Sequence, residues 1–234
     1  MVVPAYCEER LIARTLERVP GYVDHVIVVD DASPDATYKA AERAARRDER
    51  IEVLRLGHNR GVGGAIIAGY ERARALGAFA AVVMAGDDQM DPDDMPRLLA
   101  PLVDGGADYA KGNRLVHPDA QQMPSVRRFG TRLLAHLTAL AAGLDGLDDA
   151  QCGYTALRLD MLDALPMHKI FPRYGYPNDL ILRLSECGAR IVEVPVRPVY
   201  ADEVSGLAVH RVVLPISGIL LRGAARRAGL RSLE

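Results

Sequence analysis

Two short apolar runs, His25–Val29 (HVIVV) and Phe79–Met84 (FAAVVM), constrain this chain most. A continuous apolar run of this kind marks a strand buried on both faces, and such strands belong to parallel sheets covered by helices. Each run ends abruptly in acid. The first meets Asp30-Asp31-Ala32-Ser33-Pro34-Asp35 and the second Ala85-Gly86-Asp87-Asp88-Gln89-Met90-Asp91-Pro92. In an open parallel sheet these loops sit at the carboxyl ends of the strands, where ligands bind. Hard oxygen ligands suit Mg2+ or Mn2+, and Mg2+ takes only one or two protein carboxylates beside substrate phosphates. Taken alone, a solvated turn that caps the next helix explains the second loop equally well.

The first half of the chain alternates strand and helix. Strands are predicted over Met1–Tyr6, His25–Val29, Ile51–Leu56, Phe79–Met84 and Asp108–Lys111, with helices over Glu8–Arg18, Ala36–Arg47, Ala65–Leu76 and Asp94–Val103. Units of this length imply an α/β fold with a mostly parallel sheet and right-handed crossovers. The second half is less regular. It reads as helices over Val126–Ala142 and Asn178–Cys187, strands over Tyr154–Leu157 and Arg190–Val194, and a last apolar then Arg-rich stretch, Val209–Ala228. The 234 residues, 49% hydrophobic, suit one domain over 1–234. The composition drift between the halves suggests a nucleotide-binding half to about 111 and an acceptor-side half over about 112–207, followed by an amphipathic helical segment expected over 208–234.

A net charge of −2 provides no bulk field for nucleic acid. The three cysteines, Cys7, Cys152 and Cys187, are far apart and lack metal-site spacing. They read as small buried hydrophobes in a reducing compartment. No signal peptide and no membrane-spanning run is visible. The expected location is cytoplasmic, with contact at the inner face of a membrane left open.

Four loops fall at the ends of successive predicted strands: Pro4–Glu9, Asp30–Asp35, His58–Gly64 and Asp87–Asp91. In a parallel sheet they share one crevice. The ordered motifs VPAYCEE, VVDDASPDAT, NRGVGGAIIAGY, GDDQMDPDD, KGNR, QCGYTALRLD and YGYPNDL resemble those of family 2 inverting glycosyltransferases of the GT-A type, over about residues 1–207. Within that family the chain looks most like the polyprenyl- and dolichyl-phosphate hexose synthases. The resemblance implies a GT-A fold with helices on both faces of the sheet. It also implies metal-dependent transfer of a sugar, with inversion, from a UDP- or GDP-sugar to polyprenyl phosphate. A saccharide or other hydroxyl acceptor is the alternative, as is a nucleotide-sugar-binding module with weakened catalysis.

The resemblance also assigns residues. Pro4, Tyr6 and Glu8 match the base and ribose site, Asp31 the acid that meets the nucleobase, and Val29 and Gly86 complete the nucleotide-sugar set with Asp87 and Arg114. Asp87 and Gln89 match metal-site residues, and Asp88 stands beside them. The family's usual first acid is absent, because Ala85 holds that position. Asp91, ahead of Pro92, reads as turn and cap chemistry. Asp179 matches an acceptor-side acid and joins Asp87 as a catalytic candidate, since transfer to a hydroxyl needs a base. Arg127 and Arg128 open a helix on the acceptor side. The segment Tyr200–Leu207 carries Ser205-Gly206 where relatives carry Ser-Lys, leaving Arg197 or Arg211 to replace the lysine. Gly61–Gly64 lacks both the G-K-[ST] and the G-x-G-x-x-G pattern, and close helix packing explains its glycines. A lipid-linked acceptor would suit the C-terminal segment lying on a membrane. Packing against the domain or a second copy explains that segment as well.

Overall fold

The computed structural model describes residues 1–199 and 209–229. Among these residues, seven strands form one sheet in the order β3-β2-β1-β4-β6-β5-β7. Strands β1 (Val2–Ala5), β2 (Val26–Asp30), β3 (Ile51–Arg55) and β4 (Ala80–Val83) run parallel. Strand β6 (Thr155–Arg158) inserts antiparallel between β4 and β5 (Tyr109–Asn113), and β7 (Ile191–Pro195) runs parallel to β5.

The apolar runs are buried on both faces because alternate side chains feed two separate cores. Val2, Ile27, Val29, Ala81 and Val83 point into one core. Val3, Val26, Val28, Val82 and Met84 point into the other. The first is covered by α3 (Val62–Ala75), α5 (Ser125–Ala142), α6 (Tyr176–Glu186) and α7 (Val209–Arg227). The second is covered by α1 (Ile12–Glu17), α2 (Thr37–Ala45) and α4 (Met95–Val103). Helices therefore lie on both faces, as expected.

Several boundaries differ from the sequence reading. Helix α1 begins at Ile12 rather than Glu8. The Glu8 amide donates to Thr37 Oγ1 at 2.7 Å, and its carbonyl accepts from Leu11 and Ile12, so a turn precedes the helix. Helix α3 begins at Val62 rather than Ala65, drawing two glycines into its first turn. A Cβ on Gly63 would stand 2.7 Å from Tyr176, so only glycine lets α3 approach α6 this closely. Of the cysteines, Cys152 is buried as expected, whereas Cys7 and Cys187 are exposed. Cys7 sits in a left-handed turn just past β1, and Cys187 caps α6 where the chain leaves the core. Among the described residues no helix is long and apolar enough to cross a membrane. The segment Tyr200–Leu207 lies outside the described residues.

Candidate active site

The sheet order sets the site. From β1 the chain steps through β2 to β3 on one side, then crosses back to β4 on the other. The switch point between β1 and β4 opens a crevice at their carboxyl ends. The loops bordering it are tied together by backbone hydrogen bonds. Gly86 N–H donates to Pro4 O at 3.1 Å and Asp31 N–H to Ala5 O at 3.0 Å. Thr15 Oγ1 donates to Gly86 O at 3.1 Å. A Cβ at Gly86 would stand 2.9 Å from Ile12, which explains glycine at the turn out of β4. Pro4 and Val29 are buried partners in adjacent strands. Tyr6, by contrast, is exposed, and Glu8 is half-buried.

Asp31 is not a bare acid at this edge. Its carboxylate accepts from the amides of Arg60 at 2.6 Å and Gly61 at 2.8 Å, binding the loop after β3 to the end of β2. The Gly64 amide donates to Pro172 O at 3.1 Å. Amides of the glycine-rich loop thus serve protein acceptors, and a Cβ on Gly61 would stand 2.6 Å from the Pro172 carbonyl. Close packing is therefore a structural reason for these glycines.

In the acidic loop, Asp87 Oδ1 accepts from the Gln89 amide at 3.1 Å, forming a tight turn. Asp88 takes a left-handed conformation, φ 57°. Its two oxygens meet Arg14 Nε and Arg18 Nη1, each at 2.8 Å. Asp88 therefore serves as an anchor to α1, and both of its oxygens are engaged by guanidinium groups. Asp91 caps the short 3-10 turn Pro92–Asp94 by accepting from Asp93 N–H at 3.2 Å, as expected of turn chemistry. The Tyr154 hydroxyl donates to Asp91 O at 2.9 Å and fixes the far end of the loop to β6.

Among the described residues, no three His, Cys, Asp or Glu side chains come together to hold a metal ion by themselves. The sequence candidates for one are Asp87 and Gln89, whose carboxylate and amide oxygens are hard donors. Two hard ligands fit an ion whose shell is completed by diphosphate oxygens and water; they do not fit a cage made of protein alone.

Arg114, just past β5, is gripped by a residue the sequence reading missed. Its Nε and Nη2 donate to the fully buried Asp149 at 2.7 and 3.0 Å, and its own amide donates to the same carboxylate at 3.2 Å. Burial pushes the Asp149 carboxyl upward. The hydrogen bonds and charge of Arg114, with Lys111 nearby, outweigh this and hold it below the usual carboxylate range. Glu193 on β7 supports the turn from beneath by accepting from the amides of Asp148 and Asp149, both at 2.9 Å. Burial pushes the Glu193 carboxyl up. Lys111 is fully buried, donates to Cys152 O, and has its pKa lowered by burial. The only sequence signal for this group is the acid pair Asp148-Asp149, one residue ahead of Gln151-Cys152-Gly153.

Asp179 stands in a different cluster. Its Oδ2 accepts from Phe171 N–H at 2.8 Å and Arg183 Nε at 3.1 Å, on the buried side of α6. None of these partners belongs to the acidic loop. Asn178 beside it donates to Thr138 and accepts from Gln151. Arg197, the described candidate to replace the lysine, points at acids: its Nε lies 3.1 Å from Asp119 and its Nη1 3.9 Å from Asp91. Arg127 and Arg128 lie in the first turn of α5, Arg127 exposed.

The model of the family described as "Glycosyl transferase family 2" matches residues 1–164. The chain belongs to glycosyl transferase family 2. It is thus an inverting glycosyltransferase that uses a nucleotide sugar. It is 34% identical to an undecaprenyl-phosphate mannosyltransferase from Micrococcus luteus, over 99% of this chain and 96% of that protein. It is 29% identical to a UDP-N-acetylglucosamine–dolichyl-phosphate N-acetylglucosaminyltransferase from Methanococcus voltae, over 86% of each chain. Its fold is similar to that of glucosyl-3-phosphoglycerate synthase from Mycobacterium tuberculosis, crystallised with Mn2+, UDP and phosphoglyceric acid. The TM-score is 0.74 at 20% identity, over 95% of this chain and 77% of that one. The glycosyltransferase therefore has the GT-A fold.

Proposed function

We propose that this glycosyltransferase moves a sugar from a nucleoside diphosphate sugar onto an acceptor carrying an anionic group. The observation that carries the reading is the shared edge of Tyr6, Glu8, Asp87, Gln89 and Arg114, braced by Asp31 and Asp149. Tyr6 offers a ring face to the base and Glu8 an acceptor for a ribose hydroxyl. Arg114, fixed by Asp149, presents its guanidinium to the diphosphate. When bound, Mg2+ or Mn2+ would be held by Asp87 and Gln89 and would offset charge on the leaving nucleotide. Asp88 and its arginines set the angle of that loop. Catalysis then rests on positioning and charge neutralisation rather than on a covalent intermediate.

Two acceptor classes have support. A hydroxyl on a phosphorylated or carboxylated molecule is supported by the fold neighbour crystallised with phosphoglyceric acid. This route needs a base, and Asp179, engaged by Phe171 and Arg183, is the acid from the sequence reading that would have to supply it. Polyprenyl phosphate is supported by the activity named for the relative from Micrococcus luteus. Its nucleophilic oxygen is already anionic and needs no strong base. The second reading gains from α5, where Val126, Phe129, Leu133, Leu137 and Leu140 form an exposed apolar stripe suited to a lipid surface.

The experiment is a transfer assay with UDP- and GDP-sugars and Mn2+, offering phosphoglyceric acid and short polyprenyl phosphates separately, with products read by mass spectrometry. Product with one acceptor selects that reading. Nucleotide binding without product from either, or from water, would leave only a binding module. Absence of metal-coupled nucleotide binding would overturn the proposal.

A further inference from the structure

A cleft of about 390 Å³ opens between α6, α7 and the segment His168–Pro172, lined by no residue of the acidic loop. Its walls carry His168, Lys169, Arg183, Arg222 and Arg226 against one carboxylate, Asp179. Two of these cations are already matched. Arg183 Nε donates to Asp179 at 3.1 Å, and Arg226 Nε donates to Glu186, just outside the cleft, at 2.8 Å. Lys169 and Arg222 are exposed and form no ion pair among the described residues.

One donor here is conspicuously unmet. Arg226 Nη2 is buried and has no hydrogen-bond partner among the described residues. Asp179 Oδ1 lies 3.9 Å away, within ion-pair range but beyond hydrogen-bonding distance. A buried N–H left without an acceptor costs about 1–3 kcal/mol, more on a charged group. An anion oxygen entering the cleft would satisfy it. Lys169 and Arg222 add two further cationic donors, which the several oxygens of one phosphate group can meet together. Guanidinium groups also bind phosphate through paired N–H donors.

We propose that this cleft is a phosphate-binding site, with Arg226, Arg222 and Lys169 as its donors and Asp179 as the wall that holds Arg183 out of the way. The ligand class is a phosphate mono- or diester, arriving either as a free small molecule or as the headgroup of an anionic lipid. Its three donors, Arg226, Arg222 and Lys169, are not residues assigned to the nucleotide sugar or the metal; Asp179 alone is shared with the hydroxyl-acceptor reading.

The test uses the full chain and the double variant Lys169→Gln/Arg222→Gln; both positions are exposed, so the fold is retained. NMR titration with inorganic phosphate should shift the amides of Lys169–Phe171 and of Arg222 and Gly223. The double variant should weaken that binding about tenfold or more, as expected for two lost charge-assisted contacts. Sugar transfer measured without phosphate should be unchanged. In a second arm, flotation with phosphatidylcholine vesicles, with and without phosphatidylglycerol, reports the lipid source. Phosphatidylglycerol-dependent flotation lost in the double variant identifies a headgroup. Response to inorganic phosphate alone identifies a free phosphate. The proposal fails if neither probe binds, or if binding is the same in the double variant.

Discussion

The guanidinium of Arg114 meets the fully buried carboxylate of Asp149 edge to edge, Nε to Oδ2 at 2.7 Å and Nη2 to Oδ1 at 3.0 Å. Asp149 also accepts from the amides of Gln151 and Cys152, at 3.2 and 3.1 Å. One acid thus shapes the turn before β6 and aims the arginine after β5. Asp149→Asn should destabilise the protein by about 3 kcal/mol, the low end for breaking a buried pair, since Arg114 keeps some access to water. The folded carboxyl lies below its ordinary value of 3.8, so its contribution is complete above the unfolded pKa and is lost as pH falls through the folded one. Urea unfolding as a function of pH should therefore show a wild-type decline below about pH 4 that is shallower in the variant.

In the acidic loop Asp88 is an anchor to α1, while Asp87 and Gln89 are the proposed metal donors. Asp87→Asn should raise the Mn2+ concentration needed for nucleotide binding by about tenfold or more, equivalent to ~1.4 kcal/mol. Asp88→Asn breaks the contacts to Arg14 and Arg18 yet should leave that requirement within about threefold, because its oxygens face α1. Calorimetric titration of Mn2+ at fixed nucleotide reads both. A larger effect at Asp88 than at Asp87 would reverse the assignment.

Gly61 has φ 82° and ψ 165°, a region open essentially to glycine alone. Ala in its place would also drive Cβ toward the Pro172 carbonyl. Gly61→Ala should cost about 2 kcal/mol or more, seen as a lower urea midpoint with an unchanged slope. A neutral result would show that the loop adjusts freely.

Asp179 separates positioning from base catalysis. In Asp179→Asn the amide oxygen can still accept from Phe171 N–H. A positioning role therefore predicts that kcat is retained within about tenfold, with a modest loss of stability. A general base predicts a fall in kcat of about a hundredfold or more at unchanged stability. Single-turnover transfer and thermal unfolding on the same preparation distinguish them.

Much of the fold was legible because its signals are local. The runs in β2 and β4 announce strands buried on both faces, and the punctuation after them announces strand-end loops. The antiparallel insertion of β6 was not legible, since a four-residue strand has the same side-chain period in either direction. The boundary errors at α1 and α3 arise from contacts made far along the chain, Glu8 with Thr37 and Gly63 with Tyr176.

By itself, the sequence determined the α/β architecture, the carboxyl-edge location of the acidic loop and the family. These follow from short-range periodicity and from motifs whose order survives without coordinates. Only the tertiary structure decided what each acid does. Asp88 anchors to α1, Asp31 holds Arg60 and Gly61, Asp149 aims Arg114, and Asp179 turns into the helical layer. The physical reason is that a carboxylate's role is set by the donors that reach it. Those donors can lie far along the chain, 70 residues away in the case of Arg18 and Asp88, and the folded backbone alone brings them together.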